Sequence, residues 1–396
     1  MKDLKHLIYF ESLLENADNE LVKQAQAEGG LALGYTCYHI PEALLNVDKC
    51  FSVRLRAPNT GSIDIATYYM SNYTCEYARA LVERGIEGGY QFLDAMIGVD
   101  ACSMMNRAME HFEILKINEK PNFFVTHCDI PFKITDYTLE SYVKQMRKRV
   151  LDVLTEKYGV DTSDAAIRKA VAEHNEVCQI ISEMAEMRKE DNPVITGYEF
   201  HVINLVTYTC PKALILPKLR ETLKELKKRK KDEKSPFRAR VAIVGSEIDD
   251  PNLTKLIEGC GALVVSDRYC FGSTPGREVI ELKDDEDALT QICLHVMEHS
   301  ECARYISDEK VLQRRETADR LAKEYNAEGI IYEQMKFCDP WAYERMTGSY
   351  ILREEYGCPV LAIDRPYAVG NSGQIRTRVQ AFVESIEIKK LQGGGK

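Results

Sequence analysis

Short apolar runs and amphipathic stretches alternate along the first third of the chain. Residues 31–35, 92–99 and 122–126 have the composition of buried strands. Helical spacing of apolar residues follows from Pro41 and again over residues 63–84, and Asp100 is predicted to cap a further helix. Strands that alternate with helices predict a parallel sheet covered by helices on both faces.

A different pattern occupies the middle of the chain. From residue 139 to residue 231 helical spacing dominates, and only residues 212–216 resemble a short strand. A lysine-rich run then leads to Ser235-Pro236, which is typical of a linker.

The strand and helix alternation returns after this linker. Strands are predicted at residues 240–244, 262–266, 329–333 and 359–363, and helices at residues 285–299, 308–326 and 341–356 and after Gly373. The predicted fold class is α/β, with two Rossmann-like or flavodoxin-like parallel-sheet domains and an intervening helical segment. The predicted boundaries are 1–138 for the first domain, 139–236 for the helical segment and linker, and 237–396 for the second domain.

Charge and composition exclude several classes of function. The 62 acidic residues outnumber the 52 basic ones, which gives a formal net charge of −10. That balance argues against a nucleic-acid binder, because such proteins neutralise phosphates with clustered lysine and arginine. No apolar run reaches the roughly 20 residues of a membrane span, and the N-terminus lacks the apolar core of a secretion signal. We therefore expect a cytoplasmic protein without a membrane partner.

Cysteine is the residue type that changes this picture. The chain has 13 cysteines, none of them in a Cys-x-x-Cys spacing, so a metal site would have to be assembled from distant positions. The predicted strand ends are followed by Cys37, Cys102, Cys128, Cys270 and Cys338. Parallel sheets bind ligands beyond the carboxyl ends of their strands. A metal centre, a redox-active thiol pair and a chance arrangement all remain open on this pattern.

Several local motifs carry a more specific resemblance. GYTCYHIPEALL, YTCEYARALVERG, VDACSMMNR, RVAIVGSEIDD, KFCDPWAYE and GNSGQIRTRVQAFVE occur in this order along the chain. Together they resemble the D-component, the iron–sulfur large subunit, of the 2-hydroxyacyl-CoA dehydratase/benzoyl-CoA reductase family. The resemblance implies a [4Fe-4S] cluster on Cys75, Cys102 and Cys338, with one iron left without a cysteine ligand. Cys37 and Cys128 remain candidates for a fourth ligand or for additional iron, whereas Cys270 and Cys302 are expected to be packing residues.

The same resemblance implies an activity and its partners. We expect a dehydratase subunit that eliminates water from a 2-hydroxyacyl-CoA through a ketyl radical, after ATP-driven one-electron activation. Its partners would be the acyl-CoA substrate, a paralogous second subunit or a second copy of this chain, and an ATP-dependent iron–sulfur activator protein. A subunit of a benzoyl-CoA-reductase-like complex and a double-cluster ATP-dependent reductase are the alternatives.

Other residues near the cysteines are candidates for proton handling or substrate binding. Tyr38 stands where the family often has serine directly after the first cysteine, and His39 follows it. Glu42 follows Pro41 at a predicted helix start. Each is a catalytic candidate, with local hydrogen bonding or helix capping as the alternative. Arg54 and Arg56 are candidates for the coenzyme A phosphates or for local salt bridges. The loop at residues 370–373 could present backbone amides to the cluster or to a thioester carbonyl.

Overall fold

Two four-stranded parallel sheets organise the computed structural model of this protein, which describes residues 2–100, 102–233, 235–367 and 372–393. The first sheet contains β1 (Leu31–Tyr35), β2 (Cys50–Arg54), β3 (Ala95–Asp100) and β4 (Phe124–Asp129), in the order β2-β1-β3-β4. The second contains β5 (Ala239–Gly245), β6 (Ala262–Arg268), β7 (Gly329–Met335) and β8 (Val360–Arg365), in the order β6-β5-β7-β8. The two sheets therefore share one strand order.

Helices bury both sheets, including the edge strands β2 and β6. Every residue of β6 and β7 is buried, as is every residue of β2. A parallel sheet is covered by helices on both sides, so its strands lack the alternation of polar and apolar residues that an exposed sheet shows. Gly245 ends β5 where a side chain would not fit, because an added Cβ would lie 2.3 Å from the Glu333 carbonyl oxygen of β7.

Helices cover both sheets and fill the space between them. In chain order they are α1 (Leu7–Leu13), α2 (Glu20–Ala27), α3 (Glu76–Ile86), α4 (Ser103–Ile114), α5 (Asp136–Met146), α6 (Asp152–Tyr158), α7 (Asp164–Glu186), α8 (Gly197–Thr209), α9 (Lys212–Leu226), α10 (Asn252–Glu258), α11 (Ala288–His299), α12 (Asp308–Glu324), α13 (Asp339–Glu354) and α14 (Ser372–Gly393). Short 3₁₀ turns occur at Glu42–Asn46, Ala66–Tyr68 and Met187–Lys189, and a π turn at Arg147–Leu151 joins α5 to α6.

Helix α8 connects the two sheets. It packs against β2 of the first sheet and β6 of the second, and nearly all of its residues are buried. A helix that is buried on all its faces lies in the core of the protein. Its start is fixed by a capping box, in which the Thr196 hydroxyl accepts from the Glu199 N–H and the Glu199 carboxylate accepts from the Thr196 N–H.

The predicted α/β class with two parallel sheets is confirmed. Seven of the eight strands coincide with predicted runs, with ends that differ by a few residues, whereas β2 was not predicted. The strand predicted at residues 212–216 is wrong, because these residues form the start of helix α9. The Lys212 side chain at this start is itself buried. The cap predicted at Asp100 is also wrong, because Asp100 is the last residue of β3 and Cys102 occupies the N-cap position of α4.

Some predictions stay untested. The domain boundaries at 138 and 236 remain a prediction. Residues 370 and 371 of the predicted amide-presenting loop lie outside the described residues. Among the helices that are described, none is long and apolar enough to cross a membrane.

Candidate metal centre

The strand order of each sheet creates a crevice at one point of its carboxyl edge. In the first sheet the chain leaves β1 and β3, which are neighbours, towards opposite sides, and β5 and β7 repeat this arrangement in the second. Such a switch point is where open parallel sheets bind ligands. Both crevices open onto one cavity of about 100 Å³. Its wall includes Thr36 after β1, Val99 near the end of β3, Ser246 after β5 and Met335 at the end of β7.

Six of the thirteen cysteines line this cavity, which we call the thiol cavity. Its cysteines are Cys37, Cys75, Cys102, Cys270, Cys302 and Cys338. Three come from the first sheet and its loops, and three from the second. A direct backbone contact joins the two groups, because the Glu76 N–H donates to the Lys336 carbonyl over 3.2 Å. Thiols that are distant in sequence are therefore assembled by the docking of the two sheets.

Three of these cysteines occupy the N-cap positions of helices. Cys75 precedes α3, Cys102 precedes α4 and Cys338 precedes α13. The free N–H groups and the positive end of the helix dipole favour a thiolate at such positions. The residue before Cys338 adopts an unusual backbone conformation, since Phe337 has a φ of 63° in the left-handed region. Backbone strain of this kind concentrates at functional sites, where it fixes the direction of a side chain.

Burial works against ionisation of the same thiols. It raises the pKa of Cys37 to about 11 and that of Cys75 to about 12. Burial also raises the pKa of Cys102, Cys270 and Cys338, although backbone N–H groups at the start of α4 and α13 oppose the rise for the first and the last. Without a cation these thiols are protonated at neutral pH, whereas a bound metal would displace the protons.

Polar groups in the wall of the thiol cavity are few and poorly partnered. Burial raises the pKa of Glu247 to about 8 against the opposing charge of Arg54, and the Glu247 Oε1 atom has no hydrogen-bond partner among the described residues. Arg304 also lines the cavity and is 9% exposed. His39 is held by neighbours, with its Nδ1 3.3 Å from the Cys37 sulfur and its Nε2 2.6 Å from the Ser300 hydroxyl.

The donor set fits an iron–sulfur cluster better than a single ion. Among the described residues no three His, Cys, Asp or Glu side chains converge as they would around one metal ion. A cluster of four irons instead spreads its thiolates over separate corners, and cysteine is its characteristic ligand. Sulfur donors, helix N-termini and an apolar wall that includes Met104, Met105 and Trp341 are compatible with such a cluster.

The structure brings together the three cysteines predicted as ligands, and Cys37 with them. Their role as ligands stays a prediction. Cys128 does not join them, because it lies inside β4 opposite Val99 and is packed in the core. Cys270 and Cys302 line the cavity although they were expected to be packing residues. Cys270 follows β6 and thus carried a sequence signal, whereas Cys302 lies between α11 and α12 and carried none.

The other catalytic candidates divide between two cavities. Of the three, only His39 lines the thiol cavity. Burial lowers its pKa well below the ordinary value, with help from Arg304, so its imidazole is neutral. Tyr38 and Glu42 instead line a separate cavity of about 30 Å³. The Tyr38 hydroxyl is buried there without a partner among the described residues, and burial raises its pKa well above the ordinary value.

Glu42 belongs to a buried group of charged side chains. Its carboxylate is paired with cations of the protein and does not act as a solvent-exposed helix cap. Its two carboxylate oxygens lie 2.6 Å from Lys212 Nζ and 2.6 Å from Arg277 Nη1. Burial alone would raise the pKa of Glu42, but Arg277 and Lys212 hold it well below the ordinary value. His174 lies 3.8 Å away, and burial lowers its pKa to about 3. Two cations thus share one anion.

The two arginines predicted to bind substrate are both buried. Arg54 is 2% exposed, and its guanidinium carbon lies 4.0 Å from the centre of the Phe271 ring. Arg56 donates to the backbone carbonyls of Asp249 and Leu14, over 2.6 and 3.0 Å. Arg56 borders an open cleft of about 790 Å³. A role of either arginine in binding substrate stays a prediction.

Most of this chain matches a known protein family. The family model described as 2-hydroxyglutaryl-CoA dehydratase, D-component, matches residues 37–386. The match begins at the first cysteine of the thiol cavity and includes the other five.

Three relatives are similar over nearly their whole length. The (R)-phenyllactyl-CoA dehydratase beta subunit of Clostridium sporogenes is 24% identical over 95% of this chain and 97% of the relative. The beta subunit of (R)-2-hydroxyglutaryl-CoA dehydratase from Acidaminococcus fermentans is 21% identical over 92% of this chain and 95% of the relative. A benzoyl-CoA reductase subunit of Thauera aromatica is 24% identical over 96% of this chain and 97% of the relative.

Proposed function

Because this chain belongs to the 2-hydroxyglutaryl-CoA dehydratase D-component family, we propose that it is the iron–sulfur subunit of a 2-hydroxyacyl-CoA dehydratase. The proposed reaction eliminates water from a 2-hydroxyacyl-CoA through a ketyl radical after an ATP-driven one-electron activation. The proposed partners are a paralogous subunit, or a second copy of this chain, and an ATP-dependent iron–sulfur activator. Relatives that are named as subunits support the need for a partner.

The observation that carries the proposal is the thiol cavity itself. Cys75, Cys102 and Cys338 lie together at three helix N-termini, although more than half the chain separates the first two from the third. Buried thiols that merely pack would not need helix dipoles directed at them. A [4Fe-4S] cluster held there would supply one electron at low potential.

Residues of this chain would determine the environment of the cluster that supplies this electron. The apolar wall keeps water from the cavity, which strengthens every electrostatic interaction inside it. Glu247 has a pKa of about 8, because burial raises it, and therefore keeps its proton at neutral pH. His39 is neutral and fixed between Cys37 and Ser300, so it orients the loop after β1.

Iron and sulfide analysis of anaerobically purified protein tests the ligand set. Cys75→Ala, Cys102→Ala and Cys338→Ala should each lose the brown chromophore and most of the bound iron. Cys178→Ala is the control, since Cys178 is a fully buried cysteine that lies in α7 away from the cavity. Full retention of iron in any of the three variants would remove that residue from the ligand set.

Turnover tests the reaction. The chain alone should be inactive towards a panel of acyl-CoA thioesters, and activity should appear with the second subunit, the activator, ATP and a reductant. Dehydration is redox-neutral, so the injected electron is recycled and few ATP are consumed per product. A ratio near or above one ATP per product would refute dehydration and favour the benzoyl-CoA-reductase type. Turnover by the lone chain without ATP would refute both.

The second candidate is a double-cluster ATP-dependent reductase, and the number of thiols favours it. Cys37, Cys270 and Cys302 provide a second set of three donors in the same cavity. Cys128 has no part in this set. One cluster predicts about four irons per chain and two clusters predict about eight. In the double-cluster case Cys270→Ala and Cys302→Ala would also lose iron, whereas in the single-cluster case they would keep it.

A further inference from the structure

Arg304 is the cation in the wall of the thiol cavity whose charge is not balanced by the protein. It is 9% exposed, and its Nε, Nη1 and Nη2 atoms have no hydrogen-bond partner among the described residues. Leaving a charged group desolvated and without hydrogen bonds is unfavourable, so buried charges are normally paired. The Arg304 guanidinium is therefore placed for a partner that the protein itself does not supply.

Nearby groups do not take this role. The guanidinium carbon lies 4.9 Å from the centre of the Phe132 ring and 5.4 Å from that of Tyr305, which covers its faces and leaves its N–H edges free. The Tyr305 hydroxyl donates to the Pro131 carbonyl over 3.2 Å. Burial raises the pKa of this phenol more than the neighbouring Arg304 lowers it, so the phenol is neutral and carries no balancing charge. The closest acidic residue in sequence, Glu301, is committed to Arg268 at 3.0 Å.

Two other arginines of this chain show what a satisfied guanidinium looks like. Arg240 donates to five backbone carbonyls of the surrounding loops, which account for all three of its nitrogens. Arg229 donates from all three of its nitrogens, to the Glu199 carboxylate and to the backbone carbonyls of Lys2 and Val194. Arg304 differs from both because it borders a cavity lined by six cysteines.

We propose that Arg304 donates hydrogen bonds to the anionic occupant of the thiol cavity and raises its reduction potential. This inference rests on the proposed function, in which the occupant is an iron–sulfur cluster with thiolate ligands. A cluster accepts one electron from an external reductant and becomes more negative by one charge. A cation beside it stabilises the reduced form more than the oxidised form, and hydrogen bonds to the sulfurs act in the same direction.

Redox titration of the reconstituted protein tests the inference. The reductant is titanium(III) citrate, and the reduced cluster is followed by electron paramagnetic resonance. Arg304→Met keeps much of the side-chain volume and removes the charge, so its constant for one-electron reduction should fall at least tenfold, a shift of about 59 mV to lower potential. Arg304→Lys keeps the charge without the planar fork and should lie between the two.

Arg240→Met is the matched control, because it removes a partly buried guanidinium that does not line the cavity. Its potential should equal that of the wild type even where its unfolding midpoint is lower. An unchanged potential in Arg304→Met, in protein that holds iron, would overturn the inference and leave the proposed function intact. Wild-type protein that binds no iron after anaerobic reconstitution would instead overturn the proposed function.

A spectroscopic measurement on wild-type protein covers the case in which Arg304→Met fails to fold or to bind iron. Protein labelled with guanidino-¹⁵N arginine should show hyperfine coupling between the cluster and a guanidinium nitrogen in pulsed electron paramagnetic resonance. Arg304→Lys should lack that coupling. Wild-type protein with a cluster but without the coupling would refute a direct hydrogen bond and with it the inference.

Discussion

The buried charges around Glu42 allow a prediction that separates a structural role from a catalytic one. Lys212 and Arg277 each lie 2.6 Å from one oxygen of the Glu42 carboxylate, and all three side chains are nearly inaccessible to solvent. His174 is neutral at pH 7, because burial lowers its pKa to about 3. The group therefore carries two positive charges and one negative charge.

This charge count predicts which of two substitutions destabilises the protein more. Glu42→Gln leaves two buried cations without an anion, and removal of one partner of a buried ion pair costs about 3–5 kcal/mol. Lys212→Met leaves a balanced pair between Glu42 and Arg277, and it replaces a desolvated cation by an apolar chain of similar length. We expect that change to cost less than about 2 kcal/mol, because it removes one charged hydrogen bond and one desolvation penalty together.

Urea unfolding under anaerobic conditions measures both variants against the wild type, with far-ultraviolet circular dichroism as the signal. Glu42→Gln should be the less stable of the two by at least about 1 kcal/mol. A Lys212→Met protein that is as destabilised as Glu42→Gln would refute the charge-balance reasoning. A Glu42→Gln protein of wild-type stability that has lost only turnover would show instead that Glu42 is a catalytic residue.

The remaining predictions concern acid stability, strand packing, a helix cap and iron. The folded-state pKa of Glu42 lies below its unfolded value of about 4.3, so its contribution to stability is present above that pH and is lost as the pH falls. When the free energy of unfolding is measured at decreasing pH, it should therefore decrease less steeply in Glu42→Gln than in the wild type. Gly245→Ala should lose about 1–3 kcal/mol by urea unfolding, since its Cβ would lie 2.3 Å from a backbone oxygen, while Gly61→Ala, with no atom within 4 Å, should match the wild type. Thr196→Ala should cost about 1 kcal/mol in the same assay, because α8 loses its capping box. Anaerobic removal of iron by a chelator should lower the thermal midpoint, because a ligand that binds only the folded state stabilises it.

The fold was largely predictable because most strands are continuous apolar runs. Strands β5 and β7, for example, are buried on both faces, so their sequences carry a strong local signal. Strand β2 escaped prediction because its run CFSVR contains a serine and ends at Arg54, a charged residue that is buried among aromatic rings including that of Phe271. The strand predicted at residues 212–216 was wrong for a related reason. Helix α9 begins with the buried Lys212, whose charge is balanced by the Glu42 carboxylate across the interface. Such long-range pairing is not visible in a local pattern.

The site was predictable where strand ends define it. Cys37, Cys270 and Cys338 follow strands of parallel sheets, and this position alone indicated the edge that holds the cavity. The expectation that Cys128 follows its strand was wrong, because β4 continues to Asp129 in register with β3 and places the Cys128 thiol inside the sheet. Cys302 and Arg304 could not be found by this reasoning, since they lie on a connection between two helices that reaches the cavity only in the folded chain.

Because the two sheets contribute three thiols each, the order of biosynthesis is constrained. A ribosome that has released Cys37, Cys75 and Cys102 still has to synthesise the residues up to Cys338, which takes roughly 10 to 50 s at ordinary translation rates. During that interval the first three thiols have no opposite wall and face the solvent of the cell. Any inorganic group that needs both sides of the cavity must therefore be inserted after translation, and the nascent chain has to reach that stage without its cysteines being oxidised.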